Sequence, residues 1–197
     1  MKKQWIILLG FVAGVLVSVL VPLLVLATGA INFGADAAPG LIERTLAPWA
    51  VDRSVKMRAL KDKNSFAGDP AAIATGLEHY RENCLVCHGA PGVEAAELSK
   101  GLNPPAPILG KKGDDTSDGE LFWIVKHGIR MTPMPAFGPT HTDDEIWKIA
   151  AFIRHLPDLT AQERDALRPA AGADDHHHAG KTPERAAQPV QPAQHNP

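Results

Sequence analysis

A chain of 197 residues with only two cysteines and a formal net charge of -2 is no disulfide-stapled mini-protein, and it has room for one ordinary domain plus accessory segments. The charge is uneven: residues 1–68 carry eight Lys/Arg against four Asp/Glu, residues 69–160 eight against thirteen, and residues 161–197 four against five. An acidic middle argues against nucleic acid as a partner, because a phosphate backbone is met by a cationic face.

In chain order, Met1-Lys2-Lys3 precedes an apolar run from Trp5 to Ala27 that is broken only by small residues, Ser18 and Pro22. The run exceeds the roughly 20 residues that cross a bilayer and the about 7 to 15 of a secretory signal. Residues 1–30 therefore read as a transmembrane anchor. The alternative is a signal segment, with Ala35-Asp36-Ala37 as an A-x-A pattern well past the run. Lys2 and Lys3 before the span, against Asp36, Glu43 and Arg44 just after it, put the N-terminus in the cytoplasm and the rest outside.

Residues 31–68 read as a connector. Leu41, Ile42, Leu46 and Trp49 form a short amphipathic face, and Arg53, Lys56, Arg58, Lys61 and Lys63 follow as a basic stretch. That stretch suits anionic headgroups or an acidic partner, or is a solvated linker.

A domain over 69–160 opens at Asp69-Pro70, a helix cap followed by proline at the first helical position. Ile73, Leu77, Tyr80 and Cys84 then form one helical stripe, with Gly76 on a neighbouring face as a site of close helix approach. Gly89 to Gly113 reads as an ordered loop. Ser117-x-x-Glu120 and Thr142-x-x-Glu145 are capping boxes that open two further helices, the first stopped by Gly128 and the second by Leu156-Pro157. No stretch alternates like a strand, so the domain reads as all-helical. A last short helix runs to Leu167, and residues 161–197 otherwise form a low-complexity tail. Its Asp174-Asp175-His176-His177-His178 run reads as a weak metal binder or a solvated tail.

The chemistry lies at Cys84-Leu85-Val86-Cys87-His88. A redox dithiol pair belongs in a βαβ setting, and a zinc site needs two further ligands at suitable spacing; neither is present in the pattern. C-x-x-C followed at once by histidine is a covalent haem attachment site. Cys84 and Cys87 supply thiols for the two vinyl groups, and His88 supplies one axial ligand. The opposite axial position falls to Gly128–Gly138, where Met131 and Met134 are both thioethers suited to ferrous iron.

From Asp69 to Pro157 these residues resemble a class I, mono-haem cytochrome c. The resemblance rests on the haem motif ending a helix with Gly76 and Tyr80, on Met134-Pro135-Ala136-Phe137, and on a last helix from Glu145-Ile146-Trp147 to Leu156-Pro157. It implies an all-α class I cytochrome c fold of three to four helices around one covalently attached haem c. It assigns the distal ligand to Met134 and leaves Met131 as a spare. It also implies that the first and last helices cross at Gly76, with Tyr80 near Ile149 or Ala150. Phe137 and Trp147 are expected beside the haem. The carbonyl of Pro104 or Pro105 is expected to hold the His88 ring. Lys126, His127 and Arg130 are either propionate partners or helix-end cations.

The expected role is electron transfer between membrane or periplasmic redox partners by a carrier that transforms no small-molecule substrate. It is tethered by a single span to the outer face of the cytoplasmic membrane. Two alternatives stand beside it: an electron-transfer subunit of a larger dehydrogenase or oxidase, and a sensor or catalyst with an open haem.

Overall fold

Helix caps set where the domain's elements begin. The computed structural model describes residues 2–111 and 115–168. The low-complexity tail and its Asp174–His178 cluster lie outside the described residues. The helices are α1 (Lys2–Ala27), α2 (Leu41–Arg58), α3 (Pro70–Asn83), α4 (Leu85–His88), α5 (Asp118–His127), α6 (Asp143–His155) and α7 (Ala161–Leu167). Short 3-10 turns cover Glu97–Gly101 and Leu156–Asp158, and no strand is present among the described residues.

At the start of α3 the Asp69 carboxylate accepts the Ala71 N–H at 2.9 Å. Both expected capping boxes form. The Glu120 carboxylate accepts the Ser117 N–H at 2.6 Å, and that of Glu145 accepts the Thr142 N–H at 2.7 Å. A third opens α7, where Glu163 accepts the Thr160 N–H at 2.7 Å and donates its own N–H to the Thr160 hydroxyl at 3.2 Å. Each returns helix-end donors to an acceptor that water would otherwise supply.

The Thr142 N–H and then its hydroxyl hold the Glu145 carboxyl below its ordinary 4.5. Such a group contributes stability that is complete above the unfolded value and is lost as pH falls through the depressed folded value. Glu145→Gln should therefore lower the thermal midpoint by a few degrees at neutral pH. The gap to the parent should close as pH drops below about 4, as followed by far-UV circular dichroism.

The core forms where α3 crosses α6. A Cβ at Gly76 would meet the Lys148 carbonyl oxygen and lie 2.8 Å from Phe152 Cβ, so glycine is what allows this approach. Tyr80, Ile146, Ile149, Ala150, Phe152 and Leu156 are buried around the crossing. Tyr80 lies in one buried cluster with the expected Ile149 and Ala150, and its ring meets Phe152, with centroids 5.3 Å apart.

The connector contains α2, an 18-residue helix running through Pro48, far longer than a short amphipathic face. Val55 is buried where α2 packs on α5. Beyond the helix, the Leu60 backbone passes so close to Gly119 that no Cβ would fit between them. Asn64, the one buried polar residue among those described, donates its side-chain amide to the Trp147 carbonyl at 2.8 Å and accepts the Phe66 N–H at 3.0 Å. Packing thus extends outward from 69–160, to Val55–Asn64 on one side and to buried Leu167 on the other. The face of Leu41, Ile42, Leu46 and Trp49 is exposed. Residues Lys3–Ala27 of α1 are also exposed, and an 18-residue window within them has a mean hydropathy of 2.8, so the helix is long and apolar enough to cross a membrane.

Candidate haem-binding site

The attachment turn is an extension of α3. The Cys84 N–H donates to the Tyr80 carbonyl at 2.9 Å, and the N–H groups of Cys87 and His88 return to the Cys84 carbonyl at 3.1 and 2.9 Å. Cys84, Cys87 and His88 stand at i, i+3 and i+4, the spacing that shares one helical face. Both thiols are free of any disulfide, Cys84 buried and Cys87 half-buried. Burial pushes the Cys84 thiol up to about 12.

After His88 the chain reverses at Gly89, at φ 59, where a Cβ would lie 2.8 Å from the Val93 carbonyl oxygen. The Tyr80 hydroxyl, itself buried, donates to the Gly89 carbonyl at 2.6 Å and fastens this reversal to α3. Burial also raises the Tyr80 pKa, so the hydroxyl keeps the proton it donates.

His88 Nδ1 lies 2.8 Å from the carbonyl oxygen of Pro107. A carbonyl only accepts, so Nδ1 carries the hydrogen and Nε2 keeps a free lone pair for a metal. This corrects the expectation for Pro104 and Pro105. The loop leaves from Asn103, whose side-chain amide donates to the carbonyls of Ala35 and Ala37 at 3.0 and 3.1 Å, and it rejoins the core at Leu109. Pro107 stands at that return, with its carbonyl on His88, and like Pro104 and Pro105 it is itself exposed. Pro105 still lines a hollow of about 370 Å³ with Cys87, His88, Val93, Ser99 and Ile108. The signal for Pro107 is Leu109 two residues on, which marks where the loop meets the core.

The second segment folds back from the end of α5. Gly128, at φ 63, leaves no space for a Cβ, which would sit 2.6 Å from Pro135 C and 2.7 Å from the Met134 carbonyl oxygen. The N–H groups of Phe137 and Gly138 donate to the carbonyls of Val125 and Lys126 at 3.1 and 2.9 Å. The Met134 N–H donates to the Thr132 hydroxyl at 3.2 Å, and its carbonyl accepts the Ile129 N–H at 3.2 Å. The fold separates the two methionines. Met131 stands at the tip with φ 61 and is 93% exposed, whereas Met134 is partly buried and packs against the core cluster.

Phe137 is buried in the same cluster, with the His141 ring edge-on to it at 5.3 Å. Trp147 stacks on Phe122 at 4.3 Å, and its surroundings are the α5–α6 interface. Lys126 is paired with Asp143 at 2.6 Å and joins α5 to α6, so its charge is already partnered. His127 and Arg130 are exposed, and the His127 ring lies 5.0 Å from Trp123. Among the described residues, no group of three or more His, Cys, Asp or Glu is placed to hold a metal ion. The donors that remain are two thiols on one turn, an imidazole with Nε2 free and Nδ1 fixed, and a thioether against the core. That set fits a covalently attached haem, with sulfur for its vinyl groups and nitrogen and sulfur for its iron.

A family model described as cytochrome c oxidase, cbb3-type, subunit III matches residues 71–153. The chain is similar to the cbb3-type cytochrome c oxidase subunit FixP of Sinorhizobium medicae, with 25% identity over 154 residues, 72% of this chain and 51% of that protein. It is similar to the cytochrome bc1 complex cytochrome c subunit of Corynebacterium diphtheriae, with 33% identity over 113 residues, 56% of this chain and 37% of that one. Cytochrome c6 of Diacronema lutheri is 30% identical over 81 residues, 41% of this chain and 92% of that protein. The chain thus spans about half of FixP, little over a third of the bc1 subunit and nearly all of cytochrome c6.

Proposed function

The chain belongs to the cytochrome c family, with covalently bound haem c and a role in electron transfer, and from that premise we propose a membrane-tethered carrier whose iron is ligated by His88 and Met134. The observation that carries the proposal is the sorting of the two methionines, Met134 turned onto the core and Met131 out into solvent. When bound, the haem supplies a reversible one-electron couple.

The chain's own residues do the rest. Cys84 and Cys87 would hold the group through two thioether bonds. The Pro107 carbonyl holds the His88 ring in one tautomer and raises its basicity as a ligand. The Met134 thioether would offer the iron a soft donor, a ligand type that favours the ferrous form. Buried Phe137, Leu121 and Val125 exclude water from the core behind the site. Val86, between the cysteines, and Ile108, beside the His88 hollow, are exposed apolar residues at which a redox partner would approach.

α1 is a candidate membrane anchor, and Lys2 and Lys3 ahead of it favour a cytoplasmic N-terminus with the haem domain outside. A tether raises the effective concentration near membrane-bound donors and acceptors without any new contact. The resemblance to the FixP and bc1 subunits supports a second reading, a fixed subunit of such a complex. Native electrophoresis of membranes dissolved in mild detergent, stained for haem, separates the two. A haem band at the size of the lone chain is expected; quantitative comigration with an oxidase or bc1-type complex would overturn the free carrier.

A further inference from the structure

α2 carries apolar side chains on two opposite sides. Its inner side holds Val55, 5% exposed, with half-buried Val51 one turn earlier. Ile42 and Leu46 precede these two residues by nine positions each, about two and a half turns, which places them on the far side of the helix. There they are 72% and 55% exposed, and Trp49 on the same stripe is 64% exposed. Arg53 continues that stripe and is exposed, whereas Lys56, paired to Asp52 at 2.8 Å, lines a hollow with Ser117, Asp118 and Glu120 at the start of α5. The outer face thus runs from apolar to cationic along one helix.

What covers such a face is indicated by its continuity with α1. Residues 28–40 separate the two helices, but they do not form a free tether. Asn103, on the loop that carries Pro107, donates its amide to the carbonyls of Ala35 and Ala37. Ala35 lies eight residues past the end of α1, so the clamp keeps the haem domain within roughly 27 Å of that end, even with the intervening chain fully extended. The turn at Gly29, φ 68, shortens the reach further. α2 begins four residues beyond the clamp, and exposed Ile31 and Phe33 extend the apolar surface back toward α1.

We propose that α2 is an interfacial helix. Ile42, Leu46 and Trp49 enter the boundary between headgroups and acyl chains of the bilayer that α1 spans, and Arg53 lies at anionic headgroups. Tryptophan suits that boundary because its ring is apolar and its N–H is polar. The Asn103 clamp and this face together hold one side of the domain down on the membrane. The inference rests on the reading of α1 as an anchor.

The test uses the full haem-loaded chain in vesicles of phosphatidylethanolamine and phosphatidylglycerol. Both native thiols are consumed by the haem, so single cysteines can be introduced as L46C, A47C and L16C and spin-labelled. Ala47, exposed and off the stripe, reports the helix side turned away from lipid. Collision with oxygen, which concentrates in lipid, is compared with collision with a water-soluble nickel chelate. The oxygen-to-nickel ratio is expected to be several-fold higher at L46C than at A47C and higher still at L16C. An L46C ratio equal to that at A47C, with L16C reading lipid, overturns the interfacial helix alone and leaves this face to a protein partner. Aqueous ratios at both L46C and L16C overturn the anchor reading with it. An unchanged haem spectrum confirms the fold of each variant.

Discussion

Met134→Ala abolishes the near-infrared charge-transfer band of the oxidised protein and lowers its reduction potential, while Met131→Ala leaves both unchanged. Either thioether satisfies the chemistry of a soft sixth ligand, so composition alone does not choose between them. Placement does. Met131 sits at φ 61, fixed at the tip of the segment and 93% exposed, whereas Met134 follows Pro133, is pinned through its N–H to Thr132, and packs on the core. Axial ligands move haem potentials over about 0.8 V, so loss of a thioether to water should lower the potential by an appreciable part of that span. The same loss opens a coordination position, and the reduced variant should bind carbon monoxide where the parent does not. If Met131→Ala produces these changes and Met134→Ala does not, the ligand assignment is reversed.

Gly76→Ala should be the most damaging single methyl group added to the core. It lies where α3 meets α6, and the added carbon would meet the Lys148 carbonyl oxygen and approach Phe152 Cβ to 2.8 Å. One obstacle is backbone, so relief requires α6 itself to shift, and with it Ile149, Ala150 and Phe152. Overpacking of a well-filled core costs about 1–3 kcal/mol, and displacement of a helix lies at the upper end. At about 4–8 °C per kcal/mol for a domain of this size, the thermal midpoint should fall by roughly 10 to 20 °C. Gly101→Ala, where nothing lies within 4 Å of the added carbon, should leave the midpoint unchanged. Equal midpoints for the two variants would mean that the α3–α6 crossing does not hold the fold.

Both residues stand out in the sequence for the same reason: each belongs to a local pattern whose physics needs only neighbouring residues. Asp69-Pro70 and the Ser117/Glu120 and Thr142/Glu145 boxes report helix starts, because the capping bonds form within a few residues. Cys84, Cys87 and His88 report a shared face through helical spacing. What the sequence does not display are contacts closed over long separations. The His88 acceptor is Pro107, not Pro104 or Pro105, because the register of a proline-rich loop depends on where its ends are held, at Asn103 and Leu109. Asn64 reaches across 83 residues to the Trp147 carbonyl, and Gly119 is required by a Leu60 backbone far from it in sequence. α2 was hidden for another reason. Pro48 and the basic stretch resemble a linker, and the inner stripe of Val51 and Val55 is too short to signal a helix without the α5 surface it packs on.

The central claim is that the chain carries one haem bound through Cys84 and Cys87 and passes single electrons. Pyridine haemochrome spectroscopy of the purified full-length chain, after acidic acetone extraction and with the thiols titrated in denaturant, tests it most directly. The account predicts one haem per chain that resists extraction, no reactive thiol, and a single one-electron transition on redox titration. Haem that extracts freely while both thiols remain titratable would contradict it.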